Sequence, residues 1–154
     1  MTNHNGRRIV VTGAAAGLGR ALARRFAEEG AAAVAVFDID AQQLDLTRRE
    51  LEALGVACRS IAVDITDGDA FTAAVIDVAG SFGGLDVVVN NAGVLSPSAR
   101  LHNVTTADFR RVLEVNVLGT FHGIRAAVGV MRGRGGGCII HTASVAGPGS
   151  YTHL

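Results

Sequence analysis

Apolar and polar positions along the chain fall into two repeating patterns: short uninterrupted apolar runs, and longer stretches with apolar residues at helical spacing. Ile9 to Val11 is the first run, within a strand predicted at 6–13. A helix predicted over 17–29 follows, with Leu18, Leu22 and Phe26 on one face and Gly30 as its stop. Residues 31–37 form a second strand ending at Asp38. The next helix starts at Ala41 behind an Asp40 cap, carries Leu44, Thr47, Leu51 and Leu54, and closes at Gly55. A third strand at 58–63 ends at Asp64. Thr66-Asp67-Gly68-Asp69 reads as a capping box for a helix with Phe71, Val75, Val78 and Phe82 on one stripe. Gly83 and Gly84 break it, and 85–89 is a fourth strand running into Asn90-Asn91-Ala92-Gly93. A loop at 94–103 containing Pro97 leads to a long helix from beyond Thr105 to about Arg132. Phe109, Val112, Leu113 and Asn116 share one of its sides. The glycines of 133–137 end it, and 138–142 is a fifth strand.

Strict alternation of strand and helix implies a parallel sheet covered on both faces, and continuous apolar strands fit burial on both sides. The expected fold is therefore α/β, a Rossmann-like doubly wound parallel sheet with helices on both faces, truncated after the fifth strand. One domain is expected over 1–147. Residues 148–154 read as a non-native tail on an incompletely read gene.

The turn after the first strand carries the first chemistry. Gly13, Gly17 and Gly19 stand between an apolar strand and a helix start. Gly13 suits a tight turn, and Gly17 and Gly19 let backbone amides approach a ligand closely. The helix N-terminus adds unpaired N–H groups and a partial positive charge, a site for a pyrophosphate. Asp38 closes the second strand at about the spacing of the ribose-binding acid of dinucleotide folds. Its carboxylate would accept from both ribose hydroxyls and repel a 2′-phosphate, and Ala14, Ala15 and Ala16 bring no base to neutralise one. NAD is therefore expected over NADP. The competing role for Asp38 or Asp40, capping the next helix, is given to Asp40.

Composition narrows the possibilities further. Hydrophobic residues make up 49% and the net charge is zero, with scattered arginines, so a basic nucleic-acid stripe is not expected. No membrane span and no signal peptide is read, and a cytoplasmic location is expected. Cys58 and Cys138 fit no metal spacing and are expected to be buried reduced thiols. His4, His102, His122, His141 and His153 form no ligand pair, and no metal site is assigned. All 14 basic residues are arginine.

Taken in order, Thr12-Gly13-Ala14-Ala15-Ala16-Gly17-Leu18-Gly19, Asp38, Asp64-Ile65, Asn90-Asn91-Ala92-Gly93, Asn116 and Ser144-Val145-Ala146-Gly147 closely resemble the short-chain dehydrogenase/reductase family. The resemblance implies NAD(H)-dependent hydride transfer between a secondary alcohol and a ketone. It places Gly13, Gly17, Leu18 and Gly19 at the phosphates, Asp38 at the ribose, and Asp64 with Ile65 at the adenine. Asn91, Ala92 and Gly93 would line the cleft. Asn116 would sit at an irregularity in the long helix and position a water, and Ser144 would hydrogen-bond the substrate oxygen. A homodimer or homotetramer built from the long helices is also implied.

The family's acid/base is a tyrosine followed four positions later by a lysine, because a free phenol is a poor base at neutral pH without an adjacent cation. Tyr151 is the one tyrosine, stands too soon after Ser144, and no lysine exists; arginine is no equivalent. Tyr151 is not assigned to catalysis, and the 154-residue chain is expected to be inactive. The alternative is a non-catalytic NAD-binding module.

Overall fold

A computed structural model describes residues 4–96 and 99–144. Its strands are β1 (Arg8–Thr12), β2 (Ala33–Asp38), β3 (Ala57–Ala62), β4 (Val87–Asn90) and β5 (Cys138–His141). Between them lie α1 (Gly17–Glu28), α2 (Ala41–Ala53), α3 (Gly68–Ser81), α4 (Thr106–Leu113) and α5 (Thr120–Met131). Every pairing is parallel and the strand order is β3-β2-β1-β4-β5. The chain thus winds outward from β1 to β3, crosses back, and continues from β4 to β5 on the other side.

Alternation along the central strands divides the core in two. Ile9, Val11, Val34, Val36, Val87 and Val89 pack on α1 and α2 through Ala23, Phe26, Leu44 and Leu51. Val10, Ala35, Phe37 and Val88 face α3 and α5 through Phe71, Val75, Val78, Ala126, Ala127 and Met131. Phe37 and Phe71, both fully buried, meet edge to face with centroids 5.8 Å apart. Each such buried ring or branched side chain contributes roughly 1.5–3 kcal/mol relative to exposure.

Several expectations are corrected. β3 and β5 stand at the sheet edges and are only partly covered, which is why β3 tolerates Arg59, paired with Asp77 at 2.7 Å. For the same reason Cys138 is exposed, while Cys58 is half-buried and its thiol is pushed up to about 12 by desolvation. α1 turns Gly19, Ala23, Phe26 and Ala27 inward, and Leu18 is 56% exposed. A stripe through Leu18 would have put a larger residue where only glycine fits against β1. The capping box over 66–69 does not form: Asp67 is the cap, accepting from Ala70 N at 3.0 Å, while Thr66 donates to Asp64. The long helix carries a π turn, Glu114–Gly119, the irregularity expected at Asn116, and its Phe109 and Leu113 are exposed. Asp40 caps α2 as expected, accepting from Gln42 N and Gln43 N.

At the N-terminal ends of β1 and β4, Arg8 and Asp86 form a two-point pair of 2.7 and 2.9 Å, and Arg8 N also donates to Asp86 at 2.8 Å. Hydrogen bonding from Arg8 holds the Asp86 carboxyl below its ordinary range. A depressed carboxyl contributes stability above its unfolded value, near 4, and loses that contribution as pH falls through the folded value. Asp86→Asn is expected to cost about 1–3 kcal/mol at neutral pH. Urea melts of both proteins should show the gap closing below about pH 4; a gap independent of pH would discount the pair.

Candidate functional site

The C-terminal ends of β1 and β4 part where the winding reverses, and the side chains there are cross-linked. Thr12 Oγ1, fully buried, accepts from Asn91 N and Ala92 N at 3.0 Å each and donates to Val89 O at 3.3 Å. Asn91 Nδ2 donates to Thr12 O at 3.1 Å and to Gly13 O at 3.4 Å. Thr142 Oγ1, just past β5, donates to Asn91 Oδ1 at 3.0 Å. Asn91 therefore ties three strand ends together. Asn90, also buried, sets its amide 3.2 Å from His141 Nδ1.

Gly13 has a φ of +65°, and a Cβ there would lie 2.8 Å from Ala92 Cα. Gly17 also adopts a left-handed φ of +53°, but a Cβ on it would meet nothing within 4 Å. Gly19 differs: a Cβ would overlap Gly13 O and the Asn91 side chain. Close packing of α1 onto the sheet, rather than access for a ligand, is the structural demand at Gly19. The α1 N-terminus begins at Ala16 with no capping side chain, whereas Asp40, Asp67 and Thr105 cap α2, α3 and α4. Asp38 lies beside it, accepting from Ala15 N at 3.0 Å and from Asp40 N at 3.1 Å.

Two adjoining cavities extend from this point and share Ala92, Gly93 and Val94. One is lined by Gly13, Asp38, Ile39, Asp64 and Ile65, and from the helical side by Arg111, Glu114 and Val115. The other, of about 340 Å³, is lined by Asn90, Asn91, Leu95, Asn116, Thr120, Thr142 and Ser144. Asn116 sits within the π turn and clasps the Val94 backbone, accepting from its N at 2.8 Å and donating to its O at 2.9 Å. Gly17, Leu18 and Gly19 line neither cavity, while the other sequence-predicted site residues each line one or both. Tyr151 lies outside the described residues, as do 145–150 and 152–154.

Sequence reading did not find Thr142, Arg111, Glu114 or Val115. Thr12 carried a signal, a lone hydroxyl closing an apolar strand; the others reach the site only through tertiary folding. Among the described residues no group of three or more His, Cys, Asp or Glu could hold a metal ion, and no helix is long and apolar enough to cross a membrane.

A parallel sheet of this order, with a crevice at its switch point, defines an open Rossmann-type α/β protein. A family model described as short chain dehydrogenase matches residues 7–154, and the chain belongs to that family of oxidoreductases. It is 40% identical over 138 residues to the cis-4-hydroxycyclohexanecarboxylate dehydrogenase of Sinomonas cyclohexanicum, covering 90% of this chain and 55% of that protein. An NAD+-bound xylitol dehydrogenase is 36% identical and superposes with a TM-score of 0.93, over 97% of this chain and 57% of the other. Carveol dehydrogenase from Mycobacterium avium in complex with NAD gives 30% identity and a TM-score of 0.91, over 98% and 59%. The chain spans little more than half the length of these relatives.

The different demands at two glycines are separable. Gly19→Ala is expected to cost about 3 kcal/mol through its clash with backbone. Gly17→Ala should cost about 1 kcal/mol, the left-handed backbone being its sole penalty. Chemical denaturation of both variants checks this, and equal costs would show that Gly19 is not held by packing.

Proposed function

We propose that this chain is the NAD-binding part of an oxidoreductase that interconverts a secondary alcohol and a ketone by hydride transfer. The observation that carries the reading is the pair of adjoining cavities meeting at 92–94, with Asp38, Asp64 and Ile65 in one and Asn116 and Ser144 in the other. The NAD complexes among its structural neighbours support the choice of cofactor.

The residues fit such a ligand. The uncapped first turn of α1, beside a Gly17 with open space around it, offers backbone N–H groups to the pyrophosphate. Asp38 uses one acceptor position of each oxygen on Ala15 N and Asp40 N, and a carboxylate has about four, so it can still take both ribose hydroxyls. Ile65 supplies an apolar wall and Asp64 a carboxylate for the adenine. When bound, the nicotinamide supplies hydride chemistry. Ser144 orients the substrate oxygen by hydrogen bonding, and Asn116 holds the 93–94 backbone and a water in the proton path. The tyrosine and lysine that the family uses to move the proton at that oxygen would lie in the part of the relatives' length that this chain does not span. With no lysine among its 154 residues, this chain by itself binds NAD without turnover.

The exposed apolar band of Leu113, Val117, Leu118 and Phe121 supports self-association of the parent protein through its long helix. Sedimentation of the parent should give a dimer or tetramer, and Phe121→Glu should shift it toward monomer; an unchanged assembly would remove this face from the interface.

Calorimetric titration of the chain with NAD and NADP, with an assay for NADH on secondary alcohols, tests the main proposal. Expected are binding of NAD over NADP and no NADH. Turnover by the 154-residue chain, or no binding at all, would overturn it. Asp38→Ala should lower the NAD to NADP affinity ratio about tenfold, the scale of losing hydrogen bonds to a charged group. An unchanged ratio removes Asp38 from the ribose site.

A further inference from the structure

We infer that His122 is a positioning residue for the adenosine side of the cleft, acting through the backbone carbonyl of Ile65. The inference rests on the NAD reading above and goes beyond it, since His122 lines neither cavity.

His122 stands on α5 and is 8% exposed. Its Nδ1 lies 2.9 Å from Ile65 O. A carbonyl oxygen can accept but never donate, so Nδ1 carries the hydrogen and the ring donates. Ile65 lies in the connection between β3 and α3, and its side chain walls the cavity that holds Asp38 and Asp64.

The hydrogen bonds within that connection shape it without anchoring it. Thr66 N and Oγ1 both reach Asp64 Oδ1 at 2.8 Å, and Asp67 N reaches Asp64 O at 3.2 Å. Asp67 joins the end of the connection to α3, and among the described residues two hydrogen bonds tie its 63–66 stretch to other elements. Val63 N donates to Asp38 O at 2.9 Å at its beginning, and His122 holds Ile65 at its middle.

The surfaces around the ring are shaped to permit this. A Cβ at Gly119 would lie 2.5 Å from Ile65 Cδ1, so Gly119 is the floor on which Ile65 rests. A Cβ at Gly68, the first residue of α3, would lie 2.7 Å from His122 Nε2. Gly68 therefore leaves the space that the imidazole fills. Residues 119, 122 and 123 lie on one helix face. The third of them, Gly123, lets the Asn90 side chain come so close that any Cβ there would overlap it. One face of α5 thus seats both the adenosine connection and the end of β4.

An apolar residue at 122 would leave the buried Ile65 carbonyl without its donor and release the connection from α5. The loss should fall on ligands that carry adenosine and spare those that do not. Asparagine places an N–H at the same δ position and should restore the bond, which separates this role from general packing.

The test uses the 154-residue chain with His122→Leu, His122→Asn and Gly68→Ala. Calorimetry would measure NAD, AMP and nicotinamide mononucleotide, and hydrogen exchange would follow the amides of 63–68. Expected for His122→Leu are about tenfold weaker NAD and AMP, unchanged nicotinamide mononucleotide, and faster exchange over 63–68. His122→Asn should recover affinity and protection to near wild type. Gly68→Ala, which keeps the imidazole but crowds it, should show the same pattern in smaller degree and serves if the leucine variant does not fold. Wild-type affinity for AMP in both His122→Leu and Gly68→Ala would overturn the role, as would equal losses of all three ligands with no rescue by asparagine. A wild-type chain that binds neither NAD nor AMP overturns the cofactor reading instead, while altered exchange over 63–68 would still show that His122 anchors the connection.

Discussion

The cross-link between Thr12 and Asn91 is the constraint from which the rest of the crevice follows. Where two neighbouring parallel strands end and their chains diverge, backbone groups lose their ladder partners while still buried, and each left unpaired costs about 1–3 kcal/mol. Thr12 and Asn91 meet that demand with side chains, and Thr142 extends the arrangement to β5. The result is geometric as well as energetic. It brings Gly13 against Ala92 with no room for a Cβ, and α1 seats Gly19 on the same spot. The start of α1 therefore has a fixed position relative to the ends of β1 and β4.

The second fixed element is the long helical wall. Its π turn adds one residue to a helical turn, and Asn116 falls within that irregularity, where it grips both polar groups of the Val94 backbone. The 93–94 segment is held from one side by this grip and, through Asn91 and Ala92, from the other by Thr12. Beyond the π turn the wall has two characters. The side with Gly119, His122 and Gly123 is closed onto the cleft loops, and the side with Val117 and Phe121 is open and apolar. A straight α-helix through 106–131 would rotate these two sides relative to Asn116, so the extra residue is what lets one wall serve the loops and present a separate face.

The strand and helix order was legible in the sequence because parallel strands buried on both faces leave apolar runs and helices leave a different period. Asp38, Asp64 and the Asn90–Gly93 turn were legible because each stands where an apolar run stops. What failed depended on partners distant in sequence. Leu18 had the right spacing for a core stripe, yet α1 is turned by Gly19, whose fit against Gly13 and Asn91 no local pattern reports. Asp67 displaced Thr66 as a cap because Thr66 was engaged by Asp64. Cys138 looked buried because its strand is apolar, but β5 is an edge. Arg111 and Glu114 enter the cleft from a helix that sequence alone could not orient.

The starts of the helices show how the fold distributes its electrostatics. Asp40, Asp67 and Thr105 each satisfy amides at their own helix N-terminus, a contribution of about 1 kcal/mol apiece. Ala16 makes no such contribution to α1. The nearest carboxylate, Asp38, is turned instead to Ala15 N and Asp40 N, before either helix proper begins. A serine or aspartate at 16 would stabilise α1 by the usual amount, but its oxygen would occupy the first-turn amides and, as aspartate, oppose an incoming phosphate. The fold is over-determined around this helix start by Thr12, Asn91 and Gly19, so it can forgo the cap without losing the position of the helix. Stability supplied by side chains beneath the crevice thus permits backbone donors and a positive helix end to remain available at its rim.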